Sequence, residues 1–480
     1  MRQTTKINLQ KLEKTLTNWR KRNLTLIGKN TVIKTLIVPK INHLISTLST
    51  PEWFVREVQT LIQIFIWNNK PPKIKNNVLM NTAEQGGLRF PNIKLLVRSQ
   101  KISWIKRIIQ NKDSAWMQTL NMLLSDMNIQ HILKCSIDPN RIADYIPNFY
   151  RQVLYAWYEI TPNPKTALDV RRQILWFNKH IKVDNRPTFN ENLYVKGVCS
   201  INDILNKEGK ILKYREFIIK YDVNINYLYY IGLVDAIPKD WKKLLNNCSF
   251  SLSIVNNNED PHIEINEQSK NITQVKSRDI YIKLLKEQEA KPSCITSWNK
   301  RLELELSNED WKYIFTLPKE TIRDTKILEM QYKLLHRCYA TDSIISKWDN
   351  TKSELCVICN KKANILHNFV TCTKIDTFWR ELETKYDTLN IDKPCTITPN
   401  DILFGRFKQP KHDLFNHAML YAKYFIHKHY VLKTNLSVNG FVSYYTYILL
   451  TEKQCYISID KIKDFNFRFG KCALAKNLVI

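Results

Sequence analysis

Apolar residues recur at steps of three and four through much of this chain, a period that buries them together only on a helix. Leu9, Leu12, Leu16 and Trp19 fall on one face. Val32, Ile33, Leu36 and Ile37 make a second stripe, which Pro39 should end or kink because it lacks the N–H that the helix ladder needs. Val58, Leu61, Ile62, Phe65 and Ile66 make a third, closing at Trp67 before the breaker NNKPPK. The period returns in SWNKRLELELSNEDWKYIFTL, TKILEMQYKLLHRCY and LFNHAMLYAKYFIHKHYVL. Only 9 of 480 residues are glycine, which argues against a β-rich, turn-dense architecture. The expectation is a mainly α fold, and the length calls for more than one packed unit.

Residues 113–290 read differently. Helical pieces alternate with loops, RRQILWFNKHI and EFIIKYDV look amphipathic or semi-buried, and the polar stretch 246–271 alternates in a way that fits short strands or a loose linker. The expected division is therefore a basic helical region 1–112, an irregular α+β linking region 113–290, a Cys/His region 291–385 and a helical region 386–480.

Charge narrows the partners. The 73 Lys and Arg outnumber 45 Asp and Glu, a net +28. Residues 1–112 alone hold 21 of those bases and 4 of the acids, so most of the excess sits there. Such a balance favours a polyanion, RNA or DNA ahead of an anionic membrane. No apolar run approaches the roughly 18–20 residues of a spanning helix, and MRQTTKINLQ lacks the apolar core of a secretory signal. The expected location is intracellular, in the nucleus, the cytoplasm or both, and the eleven cysteines then read as thiols or metal ligands.

Four of those groups form a run, C-x2-C-x7-H-x4-C, from Cys356, Cys359, His367 and Cys372. Zinc takes four N or S donors on a small tetrahedron, and a C-x2-C turn supplies two thiolates at once. Ile365-Leu366 can pack behind such a site and Phe378-Trp379 can cover it. With all four positions taken by protein, the Zn2+ would be structural, one per chain. The competing reading is three free thiols and a core histidine that happen to be neighbours.

Bases beside tryptophans are what nucleic-acid binding uses, cations on phosphates and rings on bases. Arg20, Lys21 and Arg22 follow Trp19, Lys29 and Lys34 lie in the next helix, Lys73 and Lys75 lie in the NNKPPKIK ridge, and Lys361 and Lys362 lie inside the Cys/His run. These are the candidate phosphate contacts. Trp19 and Trp67 read as core residues, and the alternative for the bases is a solvated face. Gly86-Gly87 in QGGLRFPNI reads as a structural turn, since no G-K-[ST] follows to make a phosphate loop.

Several stretches in collinear order carry a resemblance: NWRKRNLTLIGKNTVIKTLIVPKINHL, FIWNNKPPKIKNNVL, GGLRFPNIKLLVRSQKISWIKR, LYAWYEI, ILWFNKHI, DAIPKDWKKLL, KLLHRCYATDSIISKWD, IDTFWRELE, DILFGRFKQ and LYAKYFIHKHY. Over nearly its whole length the chain resembles the region that follows the polymerase domain in LINE-type, non-long-terminal-repeat retrotransposon proteins. The resemblance implies a thumb-like basic helical bundle at 1–112, a wrist- or tower-like middle, and a reverse transcriptase zinc-binding domain, a small knuckle embedded in helices, at 291–385. It places that domain's ligands on Cys356, Cys359, His367 and Cys372, and implies handling of RNA or target DNA.

One departure weighs on function. The family's polymerase carries a Tyr/Phe-x-Asp-Asp motif, and this chain holds no Asp-Asp pair. Two-metal phosphoryl transfer needs such carboxylates, so no catalytic residue is assigned, and the parent protein, not this chain, would be the RNA-directed DNA polymerase. The expected chain is a nucleic-acid-binding fragment lacking palm and endonuclease, from a truncated or frame-interrupted element. Two alternatives stay open: a non-catalytic subunit supporting reverse transcription in trans beside the element's polymerase portion, and a zinc-stapled scaffold for protein interaction.

Overall fold

The computed structural model describes residues 2–111, 113–124, 127, 129–134, 146–161, 163–246, 261–392, 394, 396–408 and 414–478. The protein is mainly α-helical, with two small two-stranded sheets among the described residues. It divides into two compact units, Met1–Gln10 with Val38–Gln59 and Asn92–Glu287, and Lys11–Ile37 with Thr60–Pro91 and Gln288–Ile480. The stretch 1–112 is thus shared between the units, whereas 291–385 and 386–480 lie in the same one.

The first unit is built around the helix Ile93–Gln110. Asn92 caps it, its Oδ1 accepting the Leu95 N–H at 3.2 Å, which satisfies one of the donors a helix start leaves open. Ile93, Leu95, Ile102, Ile105 and Ile108 are buried, and Asn148–Tyr158, Ser277–Lys286 and Val38–Thr47 pack against the helix. Lys101 is buried with them. Its ammonium donates to Leu48 O at 2.6 Å and sits 3.9 Å from the centre of the Phe149 ring.

Both sheets are tight antiparallel hairpins. His262–Ile265 pairs with Gln268–Asn271, and Lys182–Val183 with Arg186–Pro187. Each turn holds two consecutive residues at positive φ, Asn266-Glu267 and Asp184-Asn185, the pairing that suits the right-handed strand twist. In the first hairpin Ile263 and Ile265 point inward while His262 is exposed. The expected alternation within 246–271 is realised there, and its residues 247–260 lie outside the described residues.

In the second unit one apolar core joins the Cys/His region to the chain's last hundred residues. Trp298, Trp311, Leu334, Phe369, Phe378, Trp379, Tyr386, Phe404, Phe425, Phe441 and Tyr445 all belong to it. The helix Leu414–Leu432 runs through its middle, with an unbroken buried run from Phe415 to Lys423. A helix apolar on all sides has to be central. The helix Asn308–Thr321 starts at a capping box, in which Ser307 Oγ accepts the Asp310 N–H and Asp310 accepts the Ser307 N–H.

The second stripe does not stop at Pro39. Residues Ile33–Ile37 form a π turn and the chain continues as the helix Val38–Thr47. Shifting the hydrogen-bond ladder there accommodates a proline that cannot donate. Among the described residues no helix is long and apolar enough to cross a membrane.

Candidate metal centre and basic surface

The strand-like pair Leu355 and Lys362 brackets the Cys-x2-Cys turn as an antiparallel bridge. Cys356 N–H donates to Lys361 O at 2.8 Å, and Asn360 N–H donates back to Cys356 O at 2.9 Å. Asn360 takes φ +56°, a left-handed conformation that asparagine tolerates better than most residues. The turn therefore presents both sulfurs on the same side. His367 opens a π turn, His367–Thr371, that ends at Cys372, and Cys372 caps the helix Thr373–Thr388. Behind them Ile365, Phe378 and Trp379 are buried, and Trp379 Nε1 donates to Phe369 O at 2.8 Å.

These elements bring the four side chains together. Their ligand atoms all lie within 4.8 Å of one another, with Cys356 Sγ 4.0 Å from Cys372 Sγ and Cys359 Sγ 3.3 Å from His367 Nε2. Thiolates ~2.3 Å from a shared tetrahedral metal stand about 3.8 Å apart. Cys356, Cys359, His367 and Cys372 are thus close enough to hold a metal ion, and three sulfurs with one imidazole make a donor set compatible with zinc.

Local electrostatics differ between the ligands. The Lys361 N–H on its sulfur holds the Cys359 thiol below its ordinary range. Burial pushes the Cys372 thiol up to about 11. Burial, then the nearby Lys361 charge, lowers His367, which keeps the imidazole neutral as a ligand must be.

The candidate phosphate contacts meet different fates. Lys21, Lys34, Lys73, Lys75, Lys361 and Lys362 are exposed, and Arg20 is half-buried at the end of the helix Arg2–Arg20. Arg22 covers the half-buried Trp19 at 4.5 Å. Lys29 is a correction: it is buried, with its ammonium donating to Ile66 O at 2.8 Å and Asn68 Oδ1 at 2.9 Å. It ties the end of the helix Glu52–Trp67 in place and does not face a ligand. Lys362 pairs with Glu354 at 2.7 Å, which offsets its charge.

Lys73 sits in an arrangement that residue spacing does not encode. Its ammonium lies 5.0 Å from the centre of the Trp348 ring, in the segment leading into the Cys pair. Trp348 is 59% exposed. The Ser343 N–H donates to Ala363 O at 3.2 Å, which ties that segment to the far side of the Cys turn. Through Trp348 the NNKPPKIK ridge thus touches the segment that leads into the Cys turn. Within a long polar stretch Trp348 carries no periodic signal; a lone Trp within SKWDN is the only hint in the sequence.

Comparison with known proteins adds a faint likeness. No protein-family model matches the chain. A protein of Arabidopsis thaliana named "Putative ribonuclease H protein" is 24% identical over 115 residues, 22% of this chain and 18% of its own. The matched part thus spans under a fifth of that relative's length.

Proposed function

We propose that this chain is a nucleic-acid-binding, non-catalytic segment of a non-LTR retrotransposon reverse transcriptase protein. In this reading one structural Zn2+ held by Cys356, Cys359, His367 and Cys372 staples the knuckle to the helices behind it. Lys73, Lys75 and Lys361, with Arg20 and Lys21, contact phosphates, and Trp348 stacks on a base. The observation that carries it is the exposed indole of Trp348 under the Lys73 ammonium beside the Cys/His turn. An exposed ring next to a cation is what a strand of unpaired bases needs, and the Trp348 indole is 59% exposed. The likeness to a protein named for ribonuclease H agrees with an RNA partner. The non-catalytic part rests on the missing Asp-Asp pair.

A gel shift with a short single-stranded RNA tests this reading. Binding at low salt that weakens in Trp348→Ala supports it. No retarded band even at low salt overturns it.

A further inference from the structure

The second unit contains a cavity of about 300 Å³. Its walls come from three stretches far apart in sequence: the helical turns from Ile27 to Lys34, the Gly-Gly turn at residues 83–89, and the facing helices that carry Phe315, Lys319, Leu328 and Tyr332. The turn closes tightly on its neighbours. Gly86 takes φ +73°, and a Cβ there would lie 2.9 Å from the tip of the Phe315 ring. Tyr332 Oη donates to Gly86 O at 3.2 Å, fixing the turn against the wall.

Three exposed cations line this cavity: Lys34, Arg89 and Lys319. None of them has a carboxylate partner among the described residues. Arg89 and Lys319 are near enough to Lys34 that, after burial, their charges are what depress its basicity. Like charges gathered on a concave wall repel one another, and a bound anion would reverse the sign of that interaction. A second polar group is also without a partner. Asn30 is 8% exposed and its Nδ2 donates to Leu88 O at 2.6 Å, while its Oδ1 accepts nothing from the described residues. That oxygen has almost no accessible surface, so it is not presented to the cavity.

We infer that this cavity binds a nucleoside phosphate, its phosphoryl group on Lys34, Arg89 and Lys319 and its organic body against the apolar wall. Inorganic phosphate alone would leave most of the space unfilled. The remaining lining, Ile27, Leu328, Leu335 and Phe315, is apolar and aromatic and suits the organic body of such a ligand. The phosphate is held by side chains, so the turn needs no phosphate-loop motif. The inference rests on the proposed nucleic-acid function only for the choice of ligand class.

Calorimetric titration of the full chain with AMP, adenosine and inorganic phosphate tests it. The expected result is saturable binding of AMP at one site, with adenosine and inorganic phosphate each much weaker. Lys34→Gln/Lys319→Gln should weaken AMP by about tenfold or more, and Arg89→Gln serves as an independent variant should that pair fail to fold. Competition identifies the source: a 5′-phosphorylated RNA that displaces AMP marks a strand end as the ligand, and an RNA that binds without displacing it marks a free mononucleotide. No AMP binding at millimolar concentration, equal binding of adenosine, or unchanged affinity in the folded variants overturns the inference. RNA retention with no AMP binding removes the cavity's role and leaves the surface grip standing; AMP binding without RNA retention does the reverse.

Discussion

Gly87 illustrates how little space a single position can have. A Cβ there would sit 2.1 Å from the Asn81 carbonyl oxygen, closer than any real contact allows. Gly87→Ala should therefore push the turn off Asn81 and lower stability by roughly 3 kcal/mol, read as a lower urea midpoint. A midpoint equal to wild type would show that the turn yields freely. Trp348 makes the opposite case, because its ring touches water more than protein. Trp348→Ala should leave the melting temperature nearly unchanged and weaken RNA by about 1–3 kcal/mol, the range for one base stacked on an aromatic ring. Loss of stability with unchanged RNA affinity would mark it as structural. Lys29 and Lys34 stand five residues apart and look alike in sequence. One is folded into the protein on Ile66 O and Asn68, and the other faces a cavity.

At the scale of elements, the Cys/His segment depends on its ligands and the helices behind it depend on the core. Cys372 lies where the π turn meets the helix Thr373–Thr388. Cys372→Ser should take zinc content from near one per chain toward zero, measured by plasma mass spectrometry, and loosen residues 355–372 in hydrogen exchange. The core helices should keep their protection, since Phe378, Phe425 and Phe441 pack on one another without any metal contact. Zinc should also leave in acid. In the zinc-bound reading the ligands are thiolates and a neutral imidazole, so falling pH brings protons into competition with the metal. The helix Leu414–Leu432 carries a different pH signal. Lys423 is buried, donating to Gln331 Oε1 at 2.7 Å, and burial brings its pKa down to about 7. Between pH 7 and the unfolded value of about 10.4, the unfolded chain binds the extra proton, so stability rises with pH through that window. Lys423→Met should flatten the rise, by up to ~1.4 kcal/mol per pH unit, in urea midpoints followed on the second unit. Lys101 has a similarly lowered pKa and keeps its own slope in the first unit.

For the whole molecule, the proposed nucleic-acid binding should depend on charge. A net +28 predicts that RNA affinity falls steeply with salt, because each phosphate contact releases counterions on binding. The slope of log affinity against log salt measures how many cations take part, at about 0.7 per contact for single strands. A slope near zero would mean that the basic residues stay solvated. The mainly α character was legible from the chain because helical periodicity is local: three or four residues decide it. The metal donors were legible for the same reason, since Cys356 and Cys359 share one turn and His367 and Cys372 follow within the next few. Spacing held no sign of the other features. The core that fuses the Cys/His region to the last hundred residues joins Phe378 to Phe441, and the cavity joins Lys34 to Lys319. Contacts over such separations depend on how the helices pack, and periodicity does not encode packing. By itself, then, the sequence determined the helices, the basic charge and which four side chains can hold a metal. Which lysines are buried on carbonyls, which line a cavity, and where an indole stays in water were decided only by tertiary structure, because burial is a property of neighbours that the chain brings together from tens to hundreds of residues away.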